Sequence, residues 1–339
     1  MTLLMPPFLL RVVRCPAKFL CAAAFVLALG VPHEAAAQGT RHAVLVQGAS
    51  GEPQYATLHR GWLDRMATVL RDEFKFESSA VTVLAERPGP GEERATADAV
   101  RGALGRLAGT AGKDDLLFVM MIGHGSGAGA DAKFNLVGPD LTAAEWKGLL
   151  DPIAARLVVV DATSASFGFL QTLAAPGRVV ITATNSPAQR YHTVFPDAFI
   201  DALTDKAADQ DQNGRTSMLE AFTHASRLVA QHYEQAGTMA TEHAVLDDTG
   251  AGNGRRAADE GEDGAVADAT YLDTTAPPTS SDPEVQKLLV RRQALLNEID
   301  ALKRRRPAMS ADEYDREFER LAVELATVSQ EIRRRGGGG

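Results

Sequence analysis

Hydrophobic residues fall along this chain in short continuous runs separated by longer stretches of mixed polarity. The runs at residues 43–46, 81–84, 116–122, 157–160 and 178–184 are rich in Val, Ile and Leu and end in glycine or polar turns. Such runs read as strands buried on both faces. Between them, Trp62, Leu63, Met66 and Leu70 share one helical face, as do Val100, Leu104 and Leu107 in a helix expected over 95–107. Thr142 and Glu145 form the capping-box pattern that opens a helix to Leu150. Helices are also expected over 167–173 and 195–207, and a long one after a loop at 209–220, running to about residue 235. Strands alternating with helices predict an α/β domain over 38–246, with a mostly parallel sheet and helices on both faces.

The pattern then changes. Residues 247–281 are rich in Gly, Ala, Asp and Glu, which predicts a flexible acidic linker in which only Tyr271 and Leu272 dock. Leu288, Leu295 and Leu302 recur every seven residues, Val285 and Ile299 fill in, and Arg292 interrupts. Pro307 breaks the run and Ser310 with Glu313 makes a second capping box. Tyr314, Phe318, Leu321, Leu325, Val328 and Ile332 then keep a four-three spacing. Together these predict an antiparallel, coiled-coil-like helical hairpin over 282–335, with a glycine tail beyond. Its seam would face the domain, a second copy or a partner.

Arg11, Arg14 and Lys18 precede an apolar stretch from Phe19 to Val31, followed by Ala35-Ala36-Ala37. This is the layout of a cleavable secretory signal over 1–37, and about 13 apolar residues are too few to span a bilayer. The expected location is therefore the periplasm or the exterior, with no stable membrane anchor after cleavage. Lys18-Phe19-Leu20 before Cys21 lacks the small residues of a lipidation site. The two cysteines, Cys15 and Cys21, both fall in the removed segment. The mature chain then has neither a disulfide nor a cysteine nucleophile. Its charge changes from −9 to −11 on cleavage, which argues against nucleic-acid binding. The glycine-rich turn after residue 46 lacks the spacing of a nucleotide-binding loop.

Two strand ends carry candidate chemistry. The run at 116–122 ends in Gly123-His124-Gly125-Ser126, and the run at 157–160 in Asp161-Ala162-Thr163-Ser164-Ala165-Ser166. In open α/β sheets, working residues sit at the carboxyl ends of strands. The His-Gly pair followed by acid-Ala-x resembles the caspase and legumain group of cysteine peptidases, of which the legumain-like branch is the closer match. The resemblance covers roughly residues 43–233. It implies a caspase-like fold, His124 at the position of the catalytic histidine, and residues 179–186 at a specificity pocket. Thr163 stands where that group carries its cysteine, and Phe167 where a glycine would expose the loop. A threonine hydroxyl needs a well-placed base, because it is far less acidic than a thiol. The implied protein is a non-catalytic relative that binds a peptide or protein through the strand-end cleft or the hairpin. The alternative is an active hydrolase in which His124 serves Thr163, Ser164 or Ser166.

A second motif is more specific. Asp209-Gln210-Asp211-Gln212-Asn213-Gly214-Arg215-Thr216-Ser217-Met218-Leu219-Glu220 fits D-x-[DN]-x-[DN]-G-x5-E, the EF-hand-type calcium loop, at every specified position. Hard Ca²⁺ takes oxygen ligands, here the side chains of Asp209, Asp211 and Asn213, the carbonyl of Arg215, Ser217 directly or through water, and bidentate Glu220. The competing reading is an inter-helix turn that only caps the next helix. Asp247 to Asn253 is a degenerate echo of the motif. His42, His192, His224, His232 and His243 show no ligand spacing. A further alternative is a Ca²⁺-stabilised scaffold that assembles through its hairpin.

Overall fold

The computed structural model describes residues 39–211, 213–259, 261–274, 280 and 282–336. The expected signal segment with the two cysteines, Gln212, part of the expected linker and the last three glycines lie outside the described residues.

In chain order the elements are β1 (Arg41–Gln47), α1 (Pro53–Thr68), β2 (Val81–Ala85), β3 (Glu93–Arg94), α2 (Ala97–Thr110) and β4 (Leu116–Ile122). Next come β5 (Gly125–Ser126), β6 (Lys133–Phe134), β7 (Leu141–Thr142), α3 (Ala143–Leu150), β8 (Arg156–Asp161), α4 (Phe167–Leu173) and β9 (Val179–Thr182). The remainder is α5 (Phe195–Ala202), α6 (Met218–Gln235), β10 (Val245–Asp247), α7 (Ala265–Asp268), α8 (Pro283–Arg305) and α9 (Ala311–Gly336).

The main sheet runs β10-β9-β8-β4-β1-β2-β3, and every pairing is parallel except β10 with β9. This is the predicted α/β layout. Side chains alternate across a strand, so each buried run feeds two cores. Leu45, Phe118, Met120, Val160 and Ile181 pack with Trp62 and Leu63 of α1, Phe195 and Phe199 of α5, and Phe222 of α6. Val46, Val119, Met121, Val159 and Val180 pack on the other face with Val100 of α2, Trp146 of α3 and Phe169 of α4. β4 sits between β1 and β8, which is why all of Leu116–Ile122 is buried and the run carries no polar residue.

The chain leaves β1 towards β2 and β3 on one side, then returns to place β4 on the other. The carboxyl ends of β1 and β4 therefore flank the point where strand order reverses, the usual ligand crevice of an open α/β sheet. The capping box at Thr142 and Glu145 is present, and α5 stops at Ala202, short of the expected 207.

The acidic segment departs from its expected flexibility. β10 pairs antiparallel with β9 at the sheet edge, and Asp247 and Asp248 are buried. Asp247 accepts from the Gly250 and Gly252 amides, and Asp248 from those of Gly264, Val266 and Ala267 at the start of α7. These carboxylates fold the segment by capping its turns, a role that composition does not distinguish from solvated acidity. The same bonds leave the echo motif as a turn.

α8 and α9 pack as a hairpin around Leu295, Ile299, Leu302 and Leu321. Ser310 accepts from the Glu313 amide at 3.3 Å, half of the expected capping box. The hairpin is tied to the domain: Lys303 pairs with Asp268 at 2.6 Å, Arg304 donates to the Ala269 carbonyl, and Arg215 lies 3.7 Å from Asp300. No helix among the described residues is long and apolar enough to cross a membrane.

Candidate functional site

Parallel pairing of β4 with β8 aligns Met121 with Asp161, so His124 and Thr163 leave neighbouring strand ends. The hydroxyls between them point elsewhere. Thr163 Oγ1 donates to Asp161 Oδ1 at 2.6 Å, and the Thr163 amide donates to the same oxygen at 3.1 Å. Ser164 Oγ faces the Gly125 backbone at 3.4–3.5 Å. Ser166 Oγ shares a 3.0 Å hydrogen bond with Thr184 Oγ1 and accepts from the Thr184 amide. All three side chains are at most 2% exposed, and among the described residues none bonds to His124.

Two backbone features close this turn. A Cβ on Gly125 would lie 2.4 Å from the Ser164 carbonyl oxygen and 2.9 Å from Thr163 Oγ1, so only glycine lets the two strand ends approach. The residue forced to positive φ is Ala165, at 53°. Phe167, where the resemblance would place a glycine, begins α4. A left-handed non-glycine residue marks a conformation that its surroundings over-determine.

Asp161 is fully buried, and its second oxygen, Oδ2, has no hydrogen-bond partner among the described residues. Burial pushes its carboxyl up to about 7, against the opposing bonds from Thr163. Below about pH 7 the neutral acid is therefore the form that fits the interior.

His124 lies among rings that the sequence did not associate. Tyr55 and His59 of α1 approach it edge-on at 5.1 Å each, and His192, in the loop between β9 and α5, is 6.4 Å away. Burial holds the His124 imidazole below its ordinary range, with a bond to the Ser50 backbone opposing. His59 was missed altogether; its signal is its place on the same helical face as Trp62, Leu63 and Met66, all buried. A cavity of about 570 Å³ is lined by Gln47 at the end of β1, Ala56 and Arg60 of α1, and Glu86 and Arg87 after β2. Gln47 is buried and its Oε1 lacks a partner among the described residues. The volume falls in the range of small-ligand pockets.

The 209–220 loop brings Asp209, Asp211 and Glu220 together, with ligand oxygens all within 4.8 Å of one another. Oxygens about 2.3–2.6 Å from a Ca²⁺ ion lie at most about 5 Å apart, so this spacing fits the ion. Asp209 accepts from the amides of Asn213 and Gly214, and Gly214 takes φ 87° to make the sharp turn. Glu220 Oε1 accepts from the Gln210 and Asp211 amides, so the last residue of the motif folds back over the first ones. Its Oε2 accepts from Ser217, whose hydroxyl accepts from the Glu220 amide in turn, which completes a capping box for α6. Ser217 is thus committed to the cap and would reach an ion only through water. Asn213 Oδ1 accepts from the Arg215 amide, leaving a second lone pair. The Arg215 side chain turns outward, paired to Asp273 and stacked 3.7 Å over Tyr271. Lys303 of α8 lies 3.9 Å from Asp211. Both readings of the loop, metal cradle and helix cap, are thus built from the same residues.

Fold and strand ends define an α/β protein with a crevice at the switch point of a mostly parallel sheet. No protein-family model matches the chain, and no curated protein matches it. Among solved structures it is similar to a structural-genomics target protein from Geobacter sulfurreducens, at 16% identity and a TM-score of 0.42, covering 61% of this chain and 92% of that one. It is also similar to the Drosophila initiator caspase Dronc, at 11% identity and a TM-score of 0.39, covering 64% of this chain and 81% of that one.

Proposed function

We propose that this chain is an exported, non-catalytic relative of the caspase-like peptidases whose working chemistry has moved from the strand ends to the 209–220 loop. It binds one Ca²⁺ through Asp209, Asp211, Asn213, the Arg215 carbonyl and Glu220, and holds a peptide or other ligand in the strand-end crevice. The carrying observation is the bond from Thr163 Oγ1 to Asp161, which turns the hydroxyl at the nucleophile position away from His124 inside a fully buried turn. A nucleophile must be within hydrogen-bond reach of its base and accessible to substrate, and this one is neither. The basic-then-apolar segment ending in Ala35-Ala36-Ala37 supports export. The cavity beside Gln47 supports a retained ligand site.

The test is labelling with a fluorophosphonate probe in the presence of Ca²⁺. No labelling is expected at Thr163, Ser164 or Ser166. Labelling of one of them that vanishes in His124→Ala would establish the hydrolase instead.

A further inference from the structure

We propose that His59, His124 and His192 form a binding site for a borderline transition-metal cation of the Zn²⁺ class, separate from the Ca²⁺ loop. The three ring centroids lie 5.1, 5.8 and 6.4 Å apart. In a tetrahedral site with metal–nitrogen bonds of about 2.0–2.1 Å, each centroid sits about 3.2 Å from the ion, so neighbouring centroids are about 5 Å apart. One pair already has this spacing; the others exceed it by roughly 1 Å, and the His59 and His192 rings are stacked at 24° rather than aimed at a common point.

The second observation is His59 itself. It is fully buried on α1, and neither Nδ1 nor Nε2 has a hydrogen-bond partner among the described residues. A buried imidazole ordinarily has its donor and acceptor satisfied, and a metal ion would take the lone pair left idle here. The cluster also sits at the β1–β4 switch point, where ligands of such sheets bind.

Among the described residues only the acidic trio of the loop already has ligand atoms within 4.8 Å of one another. The imidazoles must therefore rotate about Cβ–Cγ and close by roughly 1 Å to share an ion. His192 lies in a loop and His124 just past a strand end, the two places where that adjustment is easiest. Trp62 stacks on His192 at 5.5 Å and Tyr55 lies against both His124 and His192, an aromatic wall around the site. Three nitrogen ligands leave a fourth position for water or a ligand from the crevice. Imidazole selects Zn²⁺-class ions, whereas the oxygen-lined loop selects Ca²⁺, so this proposal does not rest on the calcium reading.

The experiment is competition titration of untagged full-length protein with Zn²⁺ against a chromophoric chelator, followed by Co²⁺ substitution read by visible absorption. The wild type should bind one Zn²⁺, and its Co²⁺ form should show the intense bands of tetrahedral nitrogen coordination. His192→Ala and His124→Ala, each at a half-buried ring outside the helices, should weaken Zn²⁺ binding by about 100-fold or more and abolish the bands. Glu220→Gln should leave both unchanged. Absence of stoichiometric Zn²⁺ binding by the wild type would overturn the proposal. So would binding that survives in both histidine variants, or Co²⁺ bands that are octahedral.

Discussion

Replacing Asp161 with Asn should remove the loss of stability that the strand-end turn suffers as pH rises. In the folded chain the buried carboxyl titrates at about 7, against an ordinary value of 3.8. Between those values the folded state holds a proton that the unfolded state has released, so stability falls as pH rises through the window. The full span corresponds to about 4 kcal/mol, of which about 2–3 kcal/mol falls between pH 5 and pH 8. Asn keeps an oxygen for the two bonds from Thr163 and puts its NH₂ where Oδ2 has no partner, so the turn survives without an ionisable group. Urea unfolding of wild type and Asp161→Asn at pH 5 and pH 8 measures the effect as a difference of differences, which cancels every other titrating group. The variant should gain about 2–3 kcal/mol relative to wild type on going to pH 8. A constant difference, or a variant that loses ground as pH rises, would mean that Asp161 is ionised in the fold and that the buried neutral turn is wrong.

Two further outcomes follow from the same turn. Gly125→Ala forces a Cβ to 2.4 Å from the Ser164 carbonyl and should lower stability by about 1–3 kcal/mol in denaturant melts; an unchanged midpoint would contradict the close approach of the strand ends. Thr163→Cys places a thiol at the strand end in a chain with no other cysteine after residue 37. That thiol should resist iodoacetamide while the protein is folded and react on unfolding, and rapid native-state alkylation would show the position to be open.

Much of this architecture is legible in the residues. The run at 116–122 has no polar residue because β4 is covered on both faces and flanked on both edges. The 142–145 box and the 209–220 motif depend on contacts within a dozen residues, which spacing alone records. Long-range convergence is less visible. His59, His124 and His192 come from a helix, a strand end and a loop spread over 133 positions, and only the fold makes them neighbours. Composition also misleads where acids do structural work. Asp247 and Asp248 count as solvated charge in the sequence, yet both are buried acceptors of backbone amides, and burial raises both carboxyls. Thr163 is an intermediate case. Its place at the cysteine position of the caspase-like pattern is a resemblance in sequence, but the capture of its hydroxyl by Asp161, two residues earlier, depends on the tight turn through Ala165.

The central claim is that the chain's working site is the 209–220 loop. Calorimetric titration of the protein with Ca²⁺, beside Glu220→Gln, tests it most directly. Gln keeps one oxygen for the Ser217 cap at α6 but turns an NH₂ toward the Gln210 and Asp211 amides, so the variant's metal-free stability is measured beside its affinity. One Ca²⁺ bound by the wild type and raising its melting temperature, with affinity falling at least about tenfold and no Ca²⁺-dependent rise in the variant, is the predicted result. Equal heats from both proteins, or none from either, would reduce the loop to a helix cap and contradict the account.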